Sequence, residues 1–338
     1  MLDFCSALYL GMRHPSSALA PWAALTLGQP AALGEMAGAP MIAARLARLQ
    51  GCQAACLLPS TLHLYWDLFG MVAGEPLVLL VDQASYPIAR WGAERAQALG
   101  LPLRCFACGD LPALDRLVRR WRKAGRRPLI LADGYVPGRE RAPPLACYAA
   151  LARQARGYLL LDDTQALGIS GPDGGGSARR HGLRGEHIVI GASLAKGFGV
   201  PLAVLAGPDA LIERFTAHSQ TRVHASPPSA AVLAAASRAL AINARHGACL
   251  RARLAANVAQ WRAGLASAGI ASRGGAFPVQ HLPGRAHWQA GLQVAGVRAL
   301  AHTGGLTFLL RADHAPAQLA QVIDLLDCYA RRRYERVI

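Results

Sequence analysis

Short apolar runs bounded by turn residues recur along the first two thirds of the chain: Leu77–Asp82 (LVLLVD), Leu103–Phe106 (LRCF), Pro128–Asp133 (PLILAD), Gly157–Asp162 (GYLLLD), His187–Ala192 (HIVIGA) and Leu202–Gly207 (LAVLAG). Most are too short for helices and nearly free of polar residues, as strands buried on both faces must be. Stretches of helical period lie between them, at Pro87–Leu99, Leu111–Ala124 and Pro144–Ala155. This alternation predicts an α/β fold with a mostly parallel sheet covered by helices. Several runs end in aspartate. Ligands of such sheets sit at the carboxyl ends of the strands, so Asp82, Asp133 and Asp162 point toward one candidate site.

From Pro227 the pattern changes. One long Ala-rich helical stretch runs from Ser229 to about Ala268, followed by expected strands at Val279–Leu282, Gly291–Val294 and Leu306–Arg311 and a final helix at Pro316–Arg331. This reads as a smaller α+β domain. The expected organisation is an N-terminal segment (1–30), a large domain (31–215), and a linking helix with a small C-terminal domain (216–338).

Composition adds three constraints. With 338 residues, 53% hydrophobic and 17% charged, the chain can bury a sizeable core, which excludes a disordered protein or a small disulfide-stapled scaffold. The formal net charge is +16, and because Lys123 and Lys196 are the only lysines, the excess is an arginine excess. Such a balance suits nucleic acid, an anionic membrane or phosphorylated ligands, and equally a compositional bias toward Arg and Ala. No nucleic-acid recognition motif accompanies it. The densest cluster, Arg119, Arg120, Arg122, Lys123, Arg126 and Arg127, reads as a solvated helix face or as a receptor for a coenzyme A phosphate or an acidic carrier protein. Of eight cysteines, only Cys105 and Cys108 form C-x-x-C, a poor zinc site, so reduced thiols and no metal are expected. The opening MLDFCSALYL has no basic leader, and the most apolar stretch, from Ala55 to Val81, is broken by Pro59, Asp67, Glu75 and Pro76. A cytoplasmic protein with no signal peptide or membrane span is therefore expected.

Two motifs carry chemistry. In GASLAKGFG (Gly191–Gly199) a lysine sits in a glycine-flanked turn directly after an apolar run. A positioned, partly desolvated lysine amine attacks aldehydes, and glycines let a flat ring approach the backbone; a surface lysine in a loop has the same local sequence. In LLLDDTQALGISG (Leu159–Gly171) an acidic pair closes a strand. Asp162 suits the carboxylate that keeps the ring nitrogen of pyridoxal phosphate protonated, and it also suits a helix N-cap.

Together these blocks resemble the α-oxoamine synthase family of fold-type I pyridoxal-phosphate enzymes. DFCSALYLG (Asp3–Gly11) is similar to the family's DFxSNDYLG opening, Leu159–Gly171 to its D-[ED]-A-H-x-x-G strand end, and Ser193–Gly199 to its lysine block. Pro59-Ser60-Thr61-Leu62 precedes Tyr86 by the spacing that separates the family's phosphate turn from its ring-stacking histidine. The resemblance implies a seven-stranded sheet, a homodimer, and pyridoxal 5'-phosphate as cofactor. Lys196 would then form the Schiff base and move the α-proton, Asp162 would pair with the pyridine nitrogen, and Tyr86 would stack on the ring. Ser60 and the amides of Thr61 and Leu62 would hold the phosphate, with a hydroxyl from Ser193. Gln165 would reach the 3-oxygen, and His224 or Ser226, before Pro227-Pro228, would complete the phosphate site of a partner subunit. The implied reaction joins an amino acid to an acyl thioester, on coenzyme A or a carrier protein, by decarboxylative condensation. An aminotransferase on the same scaffold is the alternative. The chain departs from the pattern at Ala7, Leu8, Gln165 and Pro137, and at Gly305-Leu306-Thr307, where the family carries R-x-R for the amino-acid carboxylate. Arg298 and Arg311 are the nearest arginines that would take over.

Overall fold

The computed structural model describes residues 1–138 and 142–334. The elements run β1 (Leu2–Asp3), α1 (Ala39–Gln50), β2 (Ala54–Leu58), α2 (Thr61–Val72), β3 (Leu77–Asp82), α3 (Pro87–Ala98), β4 (Leu103–Phe106), α4 (Leu111–Lys123), β5 (Arg127–Asp133), α5 (Leu145–Gln154), β6 (Tyr158–Asp162), α6 (Ser177–Arg180), β7 (Ile188–Ser193) and β8 (Ala203–Gly207). Then follow α7 (Asp209–His218), α8 (Gln220–His224), α9 (Ala230–Ser267), β9 (Val279–Pro283), α10 (Gln289–Val294), β10 (Val297–Arg298), β11 (Leu300–His302), β12 (Gly305–Leu309) and α11 (Pro316–Tyr334). Backbone packing divides the chain into two compact units, residues 13–136 with 142–245, and residues 1–12 with 137–141 and 246–338.

The first unit holds a seven-stranded sheet in the order β2-β8-β7-β6-β5-β3-β4. The pairs from β7 through β6, β5 and β3 to β4 are parallel, and β8 runs antiparallel to both β7 and β2. Strand period 2 sends alternate residues to opposite faces. Leu77, Leu79 and Val81 join Leu64, Leu68 and Phe69 of α2 and Ala89 and Ala93 of α3 in one core. Val78 and Leu80 join Leu114 and Val118 of α4 and Tyr148 and Ala152 of α5 in the other. Burying a Leu or Val side chain stabilises by roughly 1.5–3 kcal/mol, which is why strands covered on both faces read as unbroken apolar runs. Strand β2 begins one residue ahead of the Ala55–Val81 apolar stretch and runs into it, where strand and helix follow one another with little polar punctuation.

The sheet also places the basic cluster. Helix α4 ends at Lys123 and the chain enters β5 at Arg127, whose far end is Asp133. Seven strand residues span roughly 20 Å, so these arginines lie at the opposite end of the sheet from the strand-terminal aspartates. They favour the C-terminal pole of the α4 dipole, and exposed Arg119 pairs with Asp115 at 2.8 Å, as a solvated helix face does.

In the second unit β11, β12 and β9 form an antiparallel sheet, and β1 pairs parallel with β10. Phe4, Trp261 and Phe308 stack in its core, with ring centroids 5.6 Å (Phe4–Trp261) and 4.8 Å (Trp261–Phe308) apart. The expected strand at Gly291–Val294 is instead part of α10, which buries Leu292 alone, and the strand forms at Val297–Arg298. A four-residue segment, here Gly-Leu-Gln-Val, is too short to distinguish the two by period. Arg311 is buried. Its Nη1 donates to Asp3 O at 2.8 Å and its Nε pairs with Asp313 Oδ1 at 2.8 Å, so this guanidinium anchors the N-terminal strand. We expect Arg311→Ala to lower stability by about 2 kcal/mol, read as a reduced melting temperature, because it removes a buried guanidinium together with its hydrogen bonds to Asp3 and Asp313.

Candidate active site

The site is built at the carboxyl ends of β5, β6 and β7. Lys196 lies in the turn after β7, half-buried, with Nζ 5.9 Å from the centroid of the Tyr86 ring. Two contacts fix that turn. Ser193 N–H donates to Thr164 Oγ1 at 3.0 Å, and Gly197 packs on the loop after β6 so closely that a Cβ there would stand 2.3 Å from Leu167 O. Only glycine permits this approach of two backbones. Burial lowers the Lys196 amine from its ordinary range, while Asp162 and Asp133 oppose that fall. The result is an amine more available as a nucleophile than a solvated lysine.

Asp133 and Asp162 are cross-strand neighbours at the ends of β5 and β6, and both are buried. Burial, then the neighbouring Asp162, pushes the Asp133 carboxyl up to about 8, although Tyr86 N–H donates to its Oδ1 at 3.1 Å. Asp162 Oδ1 accepts the Thr164 N–H at 3.0 Å. A pH prediction follows from Asp133. The folded chain keeps its proton up to about 8, whereas the ordinary carboxyl value is 3.8. Stabilisation from this group is therefore complete below about 4 and disappears as pH rises through 8. In cofactor-free protein the melting temperature should fall across that window, and Asp133→Asn should flatten the fall.

The acidic pair of the sequence divides its work. Asp163 is fully buried, its Oδ2 accepts the Ser177 N–H at 2.8 Å, and burial pushes it up to about 6, so it anchors α6. Asp82 is likewise occupied, with Ala84 N–H donating to Oδ1 at 2.9 Å and Tyr148 Oη to Oδ2 at 3.1 Å.

Helix α2 supplies an anion-binding end. Ser60 is its N-cap, accepting the His63 N–H at 3.4 Å, and its Oγ lies 2.8 Å from His63 Nδ1. The first intrahelical bond runs from Leu64 N–H to Ser60 O, which leaves the amides of Thr61 and Leu62 ahead of the ladder, where they favour a phosphate. One turn on, Tyr65 packs against bare β7: a Cβ on Gly191 would lie 3.0 Å from its Oη. That hydroxyl is buried beside Asp162, and burial together with Asp162 and Asp133 raises its ionisation well above the ordinary value.

The remaining candidates are more dispersed. Gln165 is half-buried in the turn after β6, and the Ser193 hydroxyl accepts the Ala195 N–H at 3.2 Å with its own proton left to donate. His224 is exposed at the end of α8, and exposed Ser226 lines a small crevice with Pro59 and His63 of the same chain. Asp67, which sequence reading did not single out, holds this region: Ser219 Oγ and Thr221 Oγ1 donate to its Oδ2, and Thr221 N–H donates to Oδ1 at 3.1 Å. Tyr65 was also missed. Its helical register with Thr61 was readable, but its approach to strands more than 60 residues away was not.

The family model for aminotransferase class I and II matches residues 141–323. The chain belongs to this family. Within it, the relatives and the fold are those of α-oxoamine synthases, which are pyridoxal-phosphate enzymes. An 8-amino-7-oxononanoate synthase of Alkalilimnicola ehrlichii is 32% identical over 67% of this chain, which spans 57% of that protein's length. One from Sodalis glossinidius is 31% identical over 80% of this chain and 69% of its own. Among solved structures, a serine palmitoyltransferase variant from S. paucimobilis with a bound pyridoxal phosphate–myriocin aldimine shares the fold with a TM-score of 0.85, at 18% identity, covering 98% of this chain and 87% of that one. The residues present fit the cofactor of this aminotransferase family. They offer a desolvated amine, an aromatic face, a carboxylate at a strand end and unbonded amides at a helix start.

Proposed function

We propose that this chain condenses an amino acid with an acyl thioester, releasing carbon dioxide and the thiol, and that it does so as a cytoplasmic homodimer. The observation that carries the chemistry is the Lys196 amine, desolvated, 5.9 Å from the centroid of the Tyr86 ring and within electrostatic reach of Asp162 and Asp133. The condensation reading is supported by the relatives named 8-amino-7-oxononanoate synthase. Free cysteines at all eight positions suit a reducing compartment, and among the described residues no helix is long and apolar enough to cross a membrane.

When bound, pyridoxal phosphate supplies an aldehyde that captures amines and a conjugated ring that accepts electron density from the substrate α-carbon. Lys196 would hold the cofactor through its amine and would move a proton at the substrate α-carbon. Asp162 would pair with the ring nitrogen and favour its protonated form. Tyr86 would offer its face to the ring, and Thr61, Leu62, Ser60 and Ser193 would hold the phosphate. Gln165 would donate to the 3-oxygen but does not titrate. His224 or Ser226 would complete the phosphate site of a partner subunit. With Arg311 committed to Asp3 and Asp313, it does not stand in for the arginine missing at Thr307 without breaking those pairs.

The aminotransferase reading rests on Gln165 and Thr307. Incubation with amino acids and acyl-coenzyme A or acyl-carrier protein separates the two. Condensation gives thiol and carbon dioxide together, whereas conversion of the cofactor to its amine form with a keto product overturns it.

A further inference from the structure

The turn that carries Lys196 is tied at its entry by the Ser193 N–H bond to Thr164, and Gly197 packs it against Leu167 and Gly168. Inside the turn the amides of Phe198 and Val200 both donate to Leu194 O, at 3.1 and 3.2 Å. Its exit is held from a distant part of the chain. Phe198 O, two residues past the lysine, lies 2.8 Å from Nε2 of half-buried His14, 184 positions away in sequence. Arg238 of α9 approaches the other ring nitrogen: its Nη1 lies 3.2 Å from His14 Nδ1 and donates to Arg13 O at 2.9 Å. A carbonyl oxygen only accepts and a guanidinium only donates, so these contacts require the His14 proton on Nε2 and the lone pair on Nδ1. His14, Phe198 and Arg238 all belong to the first unit.

We propose that His14 is a positioning residue for Lys196, with Arg238 keeping its imidazole in the tautomer that donates to Phe198 O. Gly199 follows that carbonyl with φ +66°, so the chain turns sharply where His14 holds it. Phe198 is itself fully buried, and a Cβ on Gly168 would stand 3.5 Å from its ring. The bond to His14 therefore sets the backbone two residues from the amine, and with it the reach of the amine toward the Tyr86 ring and Asp162. A reacting group misplaced by about 1 Å loses on the order of 10²-fold in rate, so one hydrogen bond at this point has more effect than its own strength conveys. This role rests on Lys196 being the residue that captures the cofactor aldehyde.

The test follows, against time, the borohydride-fixed label on Lys196 after cofactor-free chain is mixed with pyridoxal 5'-phosphate. His14→Phe keeps a flat ring without a donor, and His14→Asn keeps an amide one bond short of Phe198 O; both should label about tenfold more slowly than wild type. His14→Gln, whose amide nitrogen stands as many bonds from the backbone as Nε2, should recover to within about threefold. Pyridoxamine 5'-phosphate has an amine in place of the aldehyde and forms no bond to Lys196, so its affinity should stay within about twofold of wild type in all three variants. If His14→Phe does not fold, the comparison of His14→Asn with His14→Gln decides. Labelling of His14→Asn at the wild-type rate, no recovery in His14→Gln, or equal weakening of both cofactor forms overturns the proposal. Wild type that takes no label on Lys196 instead overturns the assignment of the lysine, and the role of His14 with it.

Discussion

Replacing Lys196 by alanine should abolish turnover and leave purified chain with no lysine that borohydride can label in the presence of pyridoxal phosphate. Proton transfer by a positioned side chain contributes on the order of 10²–10⁴ in rate, and loss of amine capture adds to it, so thiol release should fall by at least about 10³-fold. The other lysine, Lys123, closes α4 at the far end of the sheet and cannot substitute. Lys196→Arg should be as inactive, because a guanidinium keeps the charge without a free nucleophile at neutral pH. Circular dichroism of both variants should match wild type, since the turn is fixed by Ser193, Thr164 and the Gly197 approach to Leu167. Label found on Lys123, or turnover within tenfold of wild type, would refute the assignment.

Asp162→Asn should give the second largest loss. A charge-assisted hydrogen bond contributes roughly 1.5–3 kcal/mol, so removing the carboxylate should lower kcat by about 10- to 150-fold. Asparagine keeps an oxygen for the Thr164 N–H, which preserves the strand end. The variant carries a second signature. With the Asp162 charge gone, the Asp133 carboxyl should move down from about 8, although burial continues to hold it above the ordinary range. The fall in melting temperature should therefore be smaller and end at a lower pH in Asp162→Asn, whereas in Asp133→Asn it should be flattened outright. An unchanged profile in Asp162→Asn would show that burial alone sets the Asp133 carboxyl.

Much of the site was legible because its residues lie where local pattern changes. Asp133 and Asp162 end apolar strands, Lys196 follows one directly, and Ser60 caps a helix three residues before His63. What was not legible depends on separation in sequence. The pairing of Asp133 with Asp162, and the reach of Tyr65 toward both, come from strand order, which no local pattern encodes. Asp67 looked like a break in an apolar stretch, but it is the acceptor for Ser219 and Thr221. Arg311 looked available, and its burial against Asp3, some 300 residues away, was invisible. At Gly291–Val294 four residues, one of them the polar Gln293, carried too little period to separate strand from helix.

The sequence by itself determined the alternation of strands and helices, the lysine and its turn, and the carboxylates at strand ends. Burial on two faces forces unbroken apolar runs, and the chemistry demands particular residue types. Tertiary structure decided that burial and Asp162 raise the Asp133 carboxyl to about 8, which arginines are already paired, and that the basic cluster lies roughly 20 Å from the site. Those outcomes are set by distances between residues far apart in the chain, and electrostatic coupling depends on distance and burial rather than on order in sequence.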